Sequence, residues 1–178
     1  IKNLLSQLGK TPFFKKEKPT PYDEAVSLIW YLENVFYKAS SHIYNYLQQN
    51  VFKGEFFDNQ VIDLGFWPGG DRDGNPFVTT EITLKVAARL RNTIIKNYYR
   101  DVRNLRRRIT FNGTEAPLAD IERRLYDSIF LPGDQLKISI EELTSTLTRI
   151  RNLVIDRHEG LFVEQIDDLL NKIKMFGF

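Results

Sequence analysis

One arginine stands in a stretch made almost wholly of turn-forming residues, Gly65-Phe66-Trp67-Pro68-Gly69-Gly70-Asp71-Arg72-Asp73-Gly74-Asn75-Pro76. Gly, Asp and Asn tolerate backbone conformations that other residues resist, so the main chain sets the shape of such a loop. Between Pro68 and Pro76, Arg72 is the only long side chain. Its planar guanidinium matches phosphate or carboxylate oxygens two at a time, which makes the loop a candidate anion site. Two other chemistries fail on spacing. Asp71, Asp73 and Asn75 alternate as in a calcium loop, but glycine is required at the sixth position and glutamate at the twelfth. Pro76 and Ile82 stand there. A nucleotide-type phosphate loop needs Lys followed by Ser or Thr at the helix start, where this chain has Asn75-Pro76.

The flanking elements position the arginine. Residues 61–67 predict a short strand, with Ile62, Leu64 and Phe66 on one face and Val61, Asp63 and Trp67 on the other. A helix opens at Thr79-Thr80-Glu81. Strand, glycine turn, projecting arginine and helix start together present a cation from a rigid base.

The run GGDRDGNP, residues 69–76, followed by Val78-Thr79 and preceded by Trp67, resembles the glycine-rich signature of the phosphoenolpyruvate carboxylase family. Pro68 stands where that family usually has methionine. Two further segments are similar to the family's, in the same order along the chain. Lys18-Pro19-Thr20-Pro21-Tyr22-Asp23-Glu24-Ala25 resembles a basic-PTP-x-DEA segment upstream. The closing residues 169–178 (LLNKIKMFGF) resemble a leucine, basic and Phe-Gly segment downstream. The resemblance spans the whole chain but only an internal part of the enzyme. It departs at Gly9-Lys10-Thr11, where the family carries a Trp-Arg-Thr tied to sugar-phosphate activation.

The resemblance implies magnesium-dependent carboxylation of phosphoenolpyruvate by bicarbonate, giving oxaloacetate and phosphate. Arg72 matches the arginine that contacts the phosphoryl group and is the catalytic and substrate-binding residue it implies. Gly69, Gly70, Asp71, Asp73, Gly74 and Asn75 support the loop and hold the arginine. No metal ligand is assigned in this chain, and Mg2+ is expected in the parent enzyme rather than here. The family's threonine-histidine-proline segment and its second glycine-arginine run do not occur in the sequence. The expected architecture is mainly α, a single internal piece over residues 1–178, with about six helices and one strand of the parent's eight-stranded α/β barrel. The expected partners are the rest of the polypeptide, within a cytoplasmic homotetramer. The chain alone is expected to be inactive. A non-catalytic helical scaffold or regulatory module of the same fold is the alternative.

Composition bounds the other classes. The chain has 178 residues, 42% apolar and 27% charged, with net charge +2, the profile of an ordinary globular domain. No cysteine is present, which excludes a thiolate metal cluster or disulfide framework and fits a cytoplasm. No apolar run reaches membrane-span length and no leader pattern opens the chain. Ile1 and Phe178 both read as cut ends.

Helical periods fill the remainder. Leu4, Leu5 and Leu8 mark a helix that Gly9 would close, and Lys10 to Lys18 form a basic, solvated connector with Lys15 and Lys16. Thr20 reads as an N-cap before a stripe of Ala25, Leu28, Ile29, Leu32, Val35, Phe36 and Ala39, interrupted at Ser40-Ser41 and resumed by Ile43, Tyr46 and Leu47. The longest helix, 81–108, carries Ile82, Val86, Leu90, Ile94, Tyr98, Val102 and Leu105. Its Arg100, Arg103, Arg106, Arg107 and Arg108 could form a polyanion patch. Without interleaved aromatics, the plainer reading is cations at a helix C-terminus covering apolar surface, with no nucleic acid expected. Further helices follow around Leu118 to Ile129, ending before Pro132-Gly133. Another runs from a Ser139/Glu142 capping box to Val154, and a last one from Phe162 to Phe176. His42 and His158 receive no catalytic role.

Overall fold

The computed structural model describes residues 1–12, 18–53, 62–131 and 136–178. Lys15 and Lys16 of the basic connector, residues 54–60, Val61 and Pro132-Gly133 lie outside these residues.

Among the described residues there are seven α-helices and no strand: α1 (Lys2–Lys10), α2 (Pro21–Tyr31), α3 (Tyr37–Tyr46), α4 (Thr80–Arg108), α5 (Glu115–Phe130), α6 (Ile140–Arg157) and α7 (Val163–Phe176). The mainly helical expectation holds. The strand is a correction: residues 62–67 have no regular structure. A strand exists only through ladder bonds to a neighbour, and no described segment pairs with this one. The period-two pattern survives, since Ile62, Leu64 and Phe66 are half-buried while Asp63, Gly65 and Trp67 are exposed.

Helix starts follow the capping chemistry. The Thr20 hydroxyl accepts from Asp23 N at 3.2 Å, and the Asp23 carboxylate accepts from Thr20 N at 3.0 Å, a reciprocal box before Pro21. Ser139 and Glu142 form the same device at α6, at 3.2 and 2.9 Å. Gly9 lies inside α1, and Thr11 closes that helix instead.

α2 and α3 form one rod joined by a π-helical turn, Leu32–Phe36, and a second π turn, Leu47–Val51, follows α3. The wider turn moves the buried face. The inward positions are Ala25, Ile29, Tyr37, Ser40, Ser41 and Tyr44, with Glu33 half-buried between them. Steps of four from residue 25 to 37 outrun a 3.6-residue period. Leu28, Val35 and Phe36, expected inside, are exposed, and the rod continues through Ser40-Ser41 without a break.

α4 is the axis of the fold. It packs against α2, α5 and α7, while α3 meets α7 and α6 meets both α5 and α7. One core cluster joins Ile95, Tyr98, Val102 and Leu105 of α4 to Leu118, Ile121 and Leu125 of α5, Leu143, Leu147, Ile150 and Val154 of α6, and Ile166, Leu169 and Ile173 of α7. Tyr98, fully buried, donates to the Gly177 carbonyl at 2.9 Å and so ties the closing Phe-Gly segment to α4. Among the described residues no helix is long and apolar enough to cross a membrane.

Candidate functional site

The loop is stapled at both ends by its own neighbours. Gly70 N donates to Trp67 O at 2.9 Å, and Val78 N donates to Asn75 O at 3.1 Å. The Asn75 side-chain oxygen accepts from Phe77 N at 3.1 Å, the local turn that asparagine makes readily. From the helix side, the Thr83 hydroxyl donates to Gly69 O at 2.8 Å. Gly69 is buried with φ +77°, and a Cβ built there would lie 2.6 Å from Val86 Cγ2. Only glycine satisfies both the left-handed backbone and the close approach of α4. Gly74 has φ +81° in open space.

On this base Arg72 is exposed, and its Nη2 donates to the Thr80 hydroxyl at 2.9 Å. Thr80 is the first residue of α4, and Thr79 caps that helix by accepting from Ile82 N at 3.3 Å. The guanidinium therefore sits at the positive end of a long helix, where an anion gains from the charge and the dipole together. Asp71 is half-buried and Asp73 exposed, and among the described residues neither forms an ion pair with Arg72. Thr80 and Thr83 are site residues that sequence reasoning missed. The available signal was a pair of hydroxyls in the first turn of the helix that follows a glycine loop.

The arginine row of α4 is spoken for in part. Arg100 reaches Glu33 at 2.8 Å, and Arg106 reaches Glu122 at 3.0 Å. Arg103 lies 6.0 Å from the centre of the Tyr99 ring. Of the histidines, His42 is exposed, and His158 Nε2 donates to Asn112 O at 3.1 Å while stacking on Phe111.

A second polar site has no counterpart in the sequence reading. Lys172 of α7, buried to 8% exposure, places its ammonium 3.0 Å from Asp101 and 2.7 Å from Asp168. Tyr37 donates to Asp101 at 2.8 Å, and its ring lies 4.8 Å from the ammonium. Ser41 and Asn45 both donate to Asp168. Burial alone would lower the Lys172 pKa, but the two aspartates outweigh it and raise it above the ordinary lysine value. The Tyr37 hydroxyl is pushed up by burial first and then by Asp101. Both groups keep their protons at neutral pH, so neither is a base or a nucleophile. The cluster ties α3, α4 and α7 together.

The family model described as phosphoenolpyruvate carboxylase matches residues 1–129, which include the loop and α4. The phosphoenolpyruvate carboxylase of Aeromonas salmonicida is 30% identical over 94% of this chain and 19% of its own length. That of Aliivibrio salmonicida is 28% identical over 96% of this chain and 18% of its own. That of Shewanella loihica is 34% identical over 57% of this chain and 12% of its own. This chain thus spans no more than about a fifth of the curated relatives it matches. No solved structure matches it. With the match running through three quarters of the chain and across the arginine loop, the chain belongs to the phosphoenolpyruvate carboxylase family.

Proposed function

We propose that the chain is part of an enzyme that converts phosphoenolpyruvate and bicarbonate to oxaloacetate and phosphate, and that Arg72 binds the phosphoryl group. A bicarbonate oxygen attacks phosphorus and the bond from phosphorus to the enol oxygen breaks, giving carboxyphosphate and an enolate. The enolate carbon then bonds to the carboxyl carbon, and phosphate leaves. Negative charge accumulates on the phosphoryl oxygens during the first step, and a fixed cation with forked donors stabilises it there.

The observation that carries this reading is the state of the guanidinium. It is exposed, held by one hydroxyl from the start of α4, and joined to neither flanking aspartate among the described residues. An arginine serving only the loop is expected to pair with its flanking aspartates. Among the described residues no three His, Cys, Asp or Glu side chains converge as metal ligands. We propose that residues beyond this chain hold the magnesium of the enzyme and supply the other phosphate-binding cations. The rest of the polypeptide, in a cytoplasmic homotetramer, completes the site.

Arg72→Lys in the longer enzyme tests the role. Lysine keeps the charge and loses the fork, so turnover in an assay coupled to malate dehydrogenase should fall on the order of a hundredfold or more. The unfolding midpoint should stay in place. Near-normal turnover would remove Arg72 from the mechanism. The 178-residue chain alone should form no oxaloacetate. Product above the blank that vanishes in Arg72→Ala would show a more complete site.

A further inference from the structure

The start of α4 carries Thr79, Thr80 and Thr83, and each hydroxyl has a different task. Thr79 caps the helix by accepting from Ile82 N, and Thr83 straps the loop by donating to Gly69 O at 2.8 Å. Thr80 accepts from Arg72 Nη2 at 2.9 Å. As the first residue of α4, Thr80 has no carbonyl of its own helix four positions back to occupy its hydroxyl. Thr83 does, and bonds Thr79 O at 3.2 Å as well. Branching at Cβ also restricts the Thr80 side chain to few rotamers. The hydroxyl is therefore both free and fixed.

The chemistry of the acceptor matters as much as its place. A carboxylate at a helix start gains from the dipole, so Asp or Glu at position 80 would favour α4 more than threonine does. Such an acid would also pair with the guanidinium and offset the charge that an incoming anion needs. The acid that α4 does carry in its first turn, Glu81, reaches Lys85 at 2.8 Å instead. A hydroxyl aims the fork without neutralising it. Arg72 gives one N–H to Thr80 and keeps its other donors.

We propose that Thr80 is a positioning residue of the phosphoryl site: its neutral hydroxyl orients the Arg72 guanidinium and leaves the positive charge to the phosphoryl oxygens. The proposal rests on the reading of Arg72 as the group that binds them.

The test uses the longer enzyme with inorganic phosphate as the probe. Phenylglyoxal modifies arginine, and mass spectrometry of the Arg72 peptide gives the phosphate concentration that halves its labelling. Thr80→Val keeps the shape and removes the hydroxyl, so that concentration should rise about threefold to tenfold, the worth of one hydrogen bond. Thr80→Ser should recover most of the loss. Thr80→Asp should raise the concentration further than valine does, while its unfolding midpoint holds or rises. Weaker phosphate protection in a protein of undiminished stability is an outcome that a merely structural threonine would not give. In turnover, Thr80→Val should lower kcat by a similar factor and should add little to Arg72→Ala, because it acts through that arginine.

Phosphate that fails to protect Arg72, protection in Thr80→Val equal to wild type, a serine variant no better than valine, or turnover losses that add to those of Arg72→Ala would each overturn the proposal. The two readings fail separately. Shifted protection in an enzyme that forms no oxaloacetate removes the carboxylase reading alone. Turnover that Arg72→Ala abolishes and Thr80→Val leaves untouched removes the positioning role alone.

Discussion

The glycine loop and the Lys172 cluster are both polar, and they are built in opposite ways. In the loop, Arg72 reaches Thr80 across 8 positions and Gly69 is strapped to Thr83 across 14. In the cluster, Tyr37 and Asp101 are 64 positions apart, Lys172 and Asp101 are 71 apart, and Ser41 and Asp168 are 127 apart. The loop lies at the surface and leaves its cation available. The cluster lies inside and saturates its cation with two carboxylates and a ring. Buried charge survives by being fully answered, so it serves the architecture. A cation held rigid but unanswered is the one that can serve a substrate.

The largest test of that contrast is alkaline pH, which should strike the cluster and spare the loop. Burial raises the pKa of Tyr37 and of Tyr98, with Asp101 adding to both, and the two aspartates raise Lys172. A folded-state pKa above the unfolded one contributes stability that is complete below the unfolded value, about 10 to 10.5 for these groups. Above that value the unfolded chain sheds protons that the folded chain retains, and stability falls. The two tyrosines alone approach a slope on the order of 3 kcal/mol per pH unit near pH 11, and Lys172 adds to it. Urea unfolding from about pH 9 to 11 measures it. Tyr37→Phe should flatten the slope by about a third, and an unchanged slope would place that tyrosine outside the titration.

Next in size is Lys172→Met, which leaves Asp101 and Asp168 facing each other without their cation. Breaking a buried pair from one side costs about 3–5 kcal/mol. Because the two carboxylates keep 27% and 23% of their exposure, we expect about 3 kcal/mol. Arg123→Ala, which removes the surface ion pairs to Asp120 and Asp127 on α5, should stay within about 0.5 kcal/mol. Equal losses in denaturant titrations would erase the distinction between the buried pair and the surface one.

The same contrast explains what could be read from the sequence. The loop was legible because turn residues, a lone arginine and a helix start are neighbours in the chain. The capping boxes at Thr20 and Ser139 were legible for the same reason. The Lys172 cluster was not, because nothing near residue 172 announces aspartates on α4 or a tyrosine on α3. The face of the α2–α3 rod was misread at Leu28 and again past Leu32, where a π turn adds a residue that no apolar period reveals. The absence of a strand at 62–67 had a similar origin. The alternation was correct, but pairing depends on a neighbour that the described residues do not contain. Leu4, Leu5 and Leu8 show helical spacing and helical structure, yet α1 contributes nothing to the core.

The smallest effects separate two glycines that look alike in sequence. Gly69 and Gly74 both have positive φ, +77° and +81°, so alanine at either meets left-handed backbone strain of about 1 kcal/mol. At Gly74 that is the whole cost, because the added methyl would enter open space. At Gly69 the methyl would lie 2.6 Å from Val86 Cγ2, and Val86 is itself buried in the face of α4. The overlap should add a further loss of about 1 kcal/mol or more, giving about 2 kcal/mol in all. Val86→Ala made together with Gly69→Ala removes the clashing atoms, so the double variant should be more stable than the two single losses predict. Chemical denaturation of the four proteins closes the cycle. If Gly69→Ala and Gly74→Ala cost the same and the cycle shows no coupling, α4 does not press on the base of the loop. Arg72 would then be positioned by its hydrogen bond to Thr80 alone.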